Sequence, residues 1–410
     1  MNNKYDKFLF LLIAVLCTGT VGGVFQLSRV VTIFLLPALL PKYYGAYRLV
    51  RPLVIFFIIF YLFCCISILW TPDKSEGFKE LLYFPLHFLY LIEIIIFSYY
   101  AKNPTKSISM GWVSAVALCS IVAIWELTTG QHLSMTTTLM DYANTEFGII
   151  DRFTAAVTFG NYNSYVTFLC YSLPWVLFQM TQSNTIKTKA VVIFALVMSA
   201  VAILFNASRG GLLTFIIIGI IWFLRSPKMP IQKTIIFTII IFGGYFLLIN
   251  YGSDLLLMIE ARTGDGNLTD NNSRTAIWRV ALDCLFNTLG VGTGVGSVAA
   301  ALGQGDTSII ASTHSLFFEF LMQYGIFFTL VVLLFLLRMF MNVRRIQDMN
   351  RKLVLYMSFL SMPIYTIIDS GYLLSPSLYA LIGTLYVFVY LDKIKFFKTI
   401  NTKIIQHEGN

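Results

Sequence analysis

Long apolar runs, separated by short polar or glycine-containing breaks, follow one another from one end of the chain to the other. Most of them approach the roughly 17 to 25 residues with which an α-helix crosses a hydrocarbon layer of about 30 Å. We place spans at 8–25, 28–41, 52–70, 81–100, 109–128, 154–180, 189–206, 210–224, 232–250, 314–337, 353–370 and 373–391. The pattern predicts an all-α integral membrane protein with about 12 transmembrane helices.

Composition agrees with this interpretation. Of 410 residues, 57% are hydrophobic and 12% are charged, whereas a soluble domain has about 25% charged residues. An ordinary soluble enzyme is therefore excluded. Five of the six cysteines lie in apolar runs and no CxxC pair occurs, so we expect neither a disulfide framework, nor a metal site, nor another cofactor.

The basic residues test the predicted spans, because loops on the cytoplasmic side of a membrane are enriched in lysine and arginine. With both termini in the cytoplasm, 21 of the 29 basic residues fall on that side. Topology thus explains most of the net charge of +9 without nucleic acid as a partner. The eight exceptions are Arg29, Lys74, Lys79, Arg152, Arg209, Arg262, Arg274 and Arg279.

Two long loops, 129–153 and 251–313, are predicted on the outer side, and every cytoplasmic connection is short. The working surface is therefore expected outside. The second loop contains a helix-like run at 275–286 and a glycine-rich segment at 290–296, which together predict a small, partly helical cap between helices 9 and 10.

These features divide the chain into three regions. We predict helices 1 to 5 and the first outer loop in 1–150, a catalytic region in 151–340, and the last two helices with a basic cytoplasmic tail in 341–410.

Arg209 lies between two closely spaced apolar runs, at or just below the outer interface. An arginine in this position is costly unless it is paired or functional, although it can also reach water along its own stem. Gly210 and Gly211 favour close approach of a ligand here.

Arg274 and Arg279 are five residues apart, which places them about 140° apart on a helix. One can bind a ligand while the other pairs structurally, or both can lie on a solvated face. Guanidinium groups bind phosphate oxygens in a bidentate way, so arginines beside lipid suit a lipid-linked diphosphate.

His314 begins the tenth span directly after the long outer loop. Imidazole has an ordinary pKa near 6.5 and suits a general base at neutral pH, although a lone histidine is more often structural. Glu319, just over one turn later, either orients His314 or satisfies a buried neighbour.

The segment that begins at Arg152 brings Asn161 and Asn163 to the outer start of the sixth span. Their amides can bind sugar hydroxyls, or they can cap the helix, which the residue chemistry alone favours.

A set of short motifs in a fixed order resembles the O-antigen ligase and O-antigen polymerase superfamily. The resemblance covers about residues 150 to 330 and rests on Phe159-Gly-Asn-Tyr-Asn163, Ser208-Arg-Gly-Gly211, Ser273-Arg274 with Trp278-Arg279, Gly290-Val-Gly-Thr-Gly294, and His314 with Tyr324-Gly325.

The resemblance implies a metal-independent, inverting glycosyltransferase in the bacterial cytoplasmic membrane. It would take a glycan from undecaprenyl diphosphate on the periplasmic or outer face and extend a surface polysaccharide. Arg209 and Arg274 would stabilise the diphosphate, and His314 would deprotonate the acceptor hydroxyl. The candidate substrate-binding residues are Arg279, Arg152, Asn161, Asn163 and Glu319.

Two other functions stay open. A ligase with the same chemistry would transfer the glycan to lipid A core, and a transporter would move lipid-linked sugars across the membrane. A transporter is expected to place ionisable residues near the middle of the bilayer, whereas most charges of this chain lie at the ends of spans.

Overall fold

The computed structural model describes residues 3–19, 21, 26–135, 154–183, 185–206, 208–225, 269–303, 312–369 and 371–408, without the side chains of 269–273 and 401–408. Within these ranges the chain is helical apart from short connections, and no strand occurs. The prediction of an all-α protein is confirmed for this part of the chain.

The described ranges contain 13 α-helices. They are α1 (Lys4–Leu16), α2 (Leu27–Leu39), α3 (Tyr43–Ser67), α4 (Lys74–Tyr100), α5 (Pro104–Thr129), α6 (Tyr162–Gln182), α7 (Ile186–Phe205), α8 (Arg209–Arg225), α9 (Thr269–Asn287), α10 (Val298–Gly303), α11 (Leu316–Val343), α12 (Met349–Tyr365) and α13 (Pro376–Glu408).

Six helical runs among the described residues are long and apolar enough to cross a membrane. They agree with a multi-pass membrane protein, whereas the count of about 12 helices stays a prediction. The predicted span 232–250 lies outside the described residues. The first span differs from its prediction, because α1 ends at Leu16 and the left-handed Gly19 (φ 74°) follows.

The longest apolar run, Leu27–Ser67, folds back on itself. A short 3₁₀ turn at Leu40–Lys42 separates α2 from α3. In α2, Arg29 lies over the Tyr83 ring of α4, 4.0 Å from its centroid. In α3, Phe57 stacks on Phe88 of α4, with ring centroids 4.1 Å apart. One turn further along α3, the Tyr61 hydroxyl donates to the carbonyl of Leu81, which lies closer to the start of α4, at 3.2 Å. As residue numbers rise along α3 they fall along α4, so the two helices are antiparallel.

Connections gather at two opposite ends of the bundle. At one end, which we call the basic end, the Tyr100 hydroxyl donates to the Lys42 carbonyl at 3.1 Å, and Lys398 donates to the Ala101 carbonyl at 3.1 Å. At the other, which we call the loop end, lie the described residues 68–73, 130–135, 154–161, 206, 208, 288–297 and 312–315, together with the α12–α13 connection, described at 366–369 and 371–375. The candidate site residues of the described chain lie at the loop end.

A glycine-rich segment, residues 290–296, inserts into a break of α11. The break is at Gly325, whose backbone is non-helical (φ 75°, ψ −178°). The carbonyl of Met322 accepts the N–H of Thr293 at 2.8 Å, and that of Gln323 accepts the N–H of Gly294 at 3.0 Å. Tertiary hydrogen bonds therefore replace helical ones at this point, as buried irregular backbone in a membrane protein requires.

The cap formed by α9 and α10 packs on the start of α11. Ile277, Ala281, Leu302 and Met322 form a small buried apolar cluster between these helices. The helix predicted at 275–286 is confirmed, since α9 runs from Thr269 to Asn287. The cap thus has its own apolar contact with the bundle.

Candidate functional site

The α12–α13 connection is the centre of the candidate site. The Thr366 carbonyl accepts the N–H of Leu316, the first residue of α11, at 2.9 Å. The next carbonyl, that of Ile367, accepts a hydrogen bond from Arg274 Nη1 at 3.3 Å. One short stretch therefore holds both the start of α11 and the arginine of the cap.

The same stretch contacts the start of α8 beside Arg209. A Cβ added to Gly210 would lie 2.9 Å from Cγ1 of Ile368, and one added to Gly211 would lie 2.5 Å from Cγ1 of Val166. Both glycines therefore allow close packing between elements of the protein. This packing by itself accounts for both glycines, and the expectation that they favour close approach of a ligand stays a prediction.

The elements that carry Arg209, Arg274 and His314 thus meet at three consecutive residues, 366–368. Neighbouring Cα atoms are about 3.8 Å apart, so three parts of the chain that are distant in sequence reach one small region. Arg209 is exposed, and Arg274 and His314 are partly buried.

His314 has a strained backbone that its neighbours hold in place. Its φ is 46°, in the left-handed region, and its N–H donates to Ser312 Oγ at 3.3 Å. The carbonyl of the preceding Thr313 accepts the Trp278 indole N–H at 2.9 Å, and Ser315 caps α11 by accepting the Phe318 N–H at 3.4 Å. Strain retained in this way is common at functional sites.

The two arginines of α9 point in different directions, as their spacing predicts. Arg274 reaches the α12–α13 connection, while Arg279 is exposed. Between them, Trp278 stacks on Phe318 with ring centroids 5.0 Å apart and fixes the rotation of α9 about its axis.

No carboxylate lies within ion-pair distance of Arg209, Arg274 or Arg279 in the described part of the chain. Their positive charge is therefore available to an anion at the loop end. Among the residues described, no group of three histidine, cysteine or acidic side chains could hold a metal ion.

The predicted residues of the sixth span have different positions. Asn161 caps α6, since its side-chain oxygen accepts the Ser164 N–H at 2.8 Å. Asn163 is partly buried in the first turn of that helix. Arg152 lies outside the described residues. The capping alternative for Asn161 is thus observed, and a contact of these residues with a sugar stays a prediction.

Glu319 is buried and faces the protein. Its two carboxylate oxygens accept the backbone N–H groups of Tyr372 and Leu373 at 3.4 Å each. Burial and the nearby charge of Asp369 raise the pKa of the Tyr372 phenol well above its usual value. The neutral phenol donates to the Tyr365 carbonyl at 3.1 Å, which further fixes the α12–α13 connection.

Sequence reasoning missed two buried polar residues at the loop end, Glu126 of α5 and Asn206 at the end of α7. Both bind the backbone of residues 155–157. The signal for Glu126 was present, because an isolated carboxylate inside an apolar span is itself a sign of function. Asn206 lies two residues before Ser208 of the Ser208–Gly211 motif, but an amide in that position has no distinctive sequence pattern.

Comparison with known proteins was consistent with these observations. Residues 194–334, which include the three arginines and His314, match the family described as O-antigen ligase. The teichuronic acid biosynthesis protein TuaE of Bacillus subtilis (strain 168) is 25% identical over 298 residues. This match covers 68% of the chain and 58% of the length of that relative. Both matches confirm the resemblance to the O-antigen ligase and O-antigen polymerase superfamily.

Proposed function

From its resemblance to the O-antigen ligase and polymerase superfamily, we propose that this chain is a glycosyltransferase that joins lipid-linked repeat units into a surface polysaccharide. The donor is a glycan on undecaprenyl diphosphate, and the acceptor is a sugar hydroxyl. The reaction takes place on the outer face of the bacterial cytoplasmic membrane. The observation that carries the proposal is the convergence of the elements bearing Arg209, Arg274 and His314 at residues 366–368.

Each residue has a role in a single displacement. His314 takes the proton of the acceptor hydroxyl, and the resulting oxygen attacks the anomeric carbon of the donor. The bond from that carbon to the diphosphate oxygen breaks, and the configuration inverts. Arg209 and Arg274 stabilise the negative charge of the leaving diphosphate, which removes the need for a metal ion.

The remaining candidates are assigned to substrate contacts. Arg279 and Arg152 would extend the positive surface toward the donor, and Asn163 would bind sugar hydroxyls, with Asn161 at the start of the same helix. Membrane lipid surrounds the bundle and holds the carrier chain.

Incubation of the purified chain with lipid-linked repeat unit alone tests the reaction. A ladder of products is expected from a polymerase, while product formation only after addition of lipid A core would indicate the ligase. A role in polysaccharide biosynthesis is supported by the relative, whose printed name concerns teichuronic acid. Absence of any glycan transfer with either acceptor would contradict the proposal.

A lipid-linked sugar transporter is the second candidate, because Glu93 and His87 are completely buried inside α4. Ionisable residues inside a membrane helix often mark a transport pathway. Glu93→Gln separates the two functions: a transporter would lose flux of lipid-linked sugar in proteoliposomes, while the glycosyltransferase would keep its ladder.

A further inference from the structure

Residues 154–157 enter the bundle instead of passing over its surface. Thr154 is 2% exposed, and Ala155, Ala156 and Val157 are completely buried. This stretch is not helical, so its backbone N–H and carbonyl groups lack the partners that a helix would provide. In a membrane protein, neighbouring elements must supply them.

Two buried side chains satisfy this backbone. Glu126 Oε2 accepts the N–H groups of Ala156 and Val157, both at 2.8 Å. The Asn206 amide accepts the N–H of Ala155 at 2.8 Å and donates to the carbonyl of the same residue at 2.9 Å. Both side chains are completely buried, so loss of either would leave backbone groups unpaired at considerable cost.

The conformation that they hold is a strained one. Val157 has a φ of 56°, which is a genuine outlier for a β-branched residue. Glu126 binds the N–H of this same residue. On the far side, the Thr158 hydroxyl donates to the Thr18 carbonyl at 2.5 Å. The segment is therefore fixed from α5, from α7 and from the end of α1.

Asn206 links this segment to the start of α8. It lies three residues before Arg209, and Ser208 between them accepts the Gly211 N–H at 3.3 Å and so caps α8. Because Asn206 and Ser208 lie so close together in the chain, a displacement of the Asn206 amide is expected to shift the start of α8 and with it the backbone of Arg209.

We propose that Glu126 and Asn206 are positioning residues of the donor site, which fix residues 154–157 and the start of α8 and thereby aim Arg209 at the carrier diphosphate. The inference rests on the function proposed above. Neither side chain touches the donor, because both are enclosed by the bundle and bind backbone.

A double-mutant cycle on carrier binding tests the link to Arg209. Undecaprenyl diphosphate is titrated into the purified full-length chain in detergent, using the wild type, Asn206→Asp, Arg209→Lys and the double variant. Asn206→Asp keeps the shape of the side chain but turns a carboxylate oxygen toward the Ala155 carbonyl. We expect about tenfold weaker binding in Asn206→Asp, and little further loss when it is added to Arg209→Lys.

Asn342→Asp is the matched control for the same substitution. Asn342 lies toward the basic end, where its amide donates to the Tyr390 hydroxyl at 3.3 Å. Carrier binding should be unchanged in this variant. The inference would be overturned if Asn206→Asp weakened carrier binding equally in the wild type and in the Arg209→Lys variant. Full carrier affinity in a folded Asn206→Asp protein would also overturn it.

Glu126 is tested by a conservative and a disruptive change. Glu126→Gln retains an oxygen acceptor for Ala156 and Val157, and should keep carrier affinity. Glu126→Leu removes both hydrogen bonds and should weaken carrier binding. If both variants keep the affinity of the wild type, the proposed role of Glu126 is contradicted. If the leucine variant does not fold, the Asn206→Asp cycle still decides.

Binding and turnover separate this inference from the proposed function. If the wild type binds the carrier and shows the coupling but transfers no glycan, the positioning role stands and the glycosyltransferase proposal fails. If the wild type binds no carrier, the donor site itself is refuted and both fail.

Discussion

His314, Val157 and Leu289 are the three non-glycine residues with a left-handed backbone in the described part of the chain. All three lie at the loop end: Val157 precedes α6, Leu289 follows α9, which carries Arg274, and His314 precedes α11. Such backbones cost about 1 to 3 kcal/mol each and persist only where surrounding contacts enforce them. Backbone strain is thus concentrated around the candidate site, away from the basic end.

Substitution of His314 separates its chemistry from its backbone conformation. Asparagine tolerates the left-handed region better than alanine does, and it has no basic ring nitrogen. We expect glycan transfer to fall about 10²- to 10⁴-fold in both His314→Asn and His314→Ala, with the alanine variant the less heat-stable. Turnover of the lipid-linked repeat unit and thermal unfolding in detergent measure the two effects. Full turnover by the asparagine variant would exclude His314 as the base.

Arg209→Lys keeps the positive charge but removes the planar fork that binds two phosphate oxygens. Carrier affinity should fall about tenfold if the fork is used. Arg225→Lys is the control, since Arg225 is exposed at the opposite end of the same helix. Equal binding by the two variants would mean that Arg209 is an interfacial anchor.

Glu319 illustrates how far sequence reasoning reached at this scale. Its spacing from His314 indicated two roles, and the structure has its carboxylate on the N–H groups of Tyr372 and Leu373. This partner could not be predicted, because the chain returns to the start of α11 only after one further helix, α12. Arg274 is similar: its residue type predicts a role in anion binding, while its contact with the Ile367 carbonyl could not be predicted.

Among the secondary elements, α11 shows most clearly what a hydropathy pattern leaves out. The apolar run at 314–337 predicted a span, and α11 occupies Leu316–Val343. Hydropathy contains no information on the break at Gly325, because a single glycine inside an apolar run is compatible with a continuous helix. The break exists because the glycine-rich segment 290–296 supplies the hydrogen bonds that the helix lacks there.

Gly292→Ala tests this insertion. Its φ is 96°, and an added Cβ would lie 2.5 Å from the Gln323 carbonyl oxygen, so the segment would have to move. We expect a loss of about 1 to 3 kcal/mol in stability from this overlap, measured by thermal unfolding in detergent. Gly303→Ala is the control, since a Cβ there would meet nothing within 4 Å. Equal unfolding temperatures would show that the segment is not tightly inserted.

Over the whole molecule, the distribution of lysines agrees with the two ends of the bundle that the helix directions define. Lys42, Lys102 and Lys398 lie at the basic end, whereas Arg209, Arg274 and His314 lie at the loop end. The positive-inside bias therefore predicts that the loop end lies on the outer side of the membrane. Apolar membrane helices could be predicted because hydropathy depends on local composition, and their number stays a prediction. The arrangement of helices around residues 366–368 could not be predicted, because it depends on contacts between distant parts of the chain.

Labelling of intact cells with a membrane-impermeant maleimide tests this orientation. In a background with Cys65→Ala and Cys284→Ala, which removes the native cysteines that are not buried, Lys79→Cys should react from outside, because Lys79 is exposed near the loop end. Lys102→Cys at the basic end should react only after the membrane is permeabilised. The reverse result would invert the topology and move the proposed site to the cytoplasm.

The insertion of residues 290–296 into α11 also has a consequence for the order of synthesis. A ribosome makes the glycine-rich segment before it makes Met322 and Gln323, whose carbonyls hold that segment. The connection at 366–375, which holds Arg274, emerges later still. Because the chain is made from its N-terminus, the arginine-bearing cap can reach its final position only when the last helices are being inserted. A nascent chain that stops after α11 would therefore have the arginines and His314 but no assembled site.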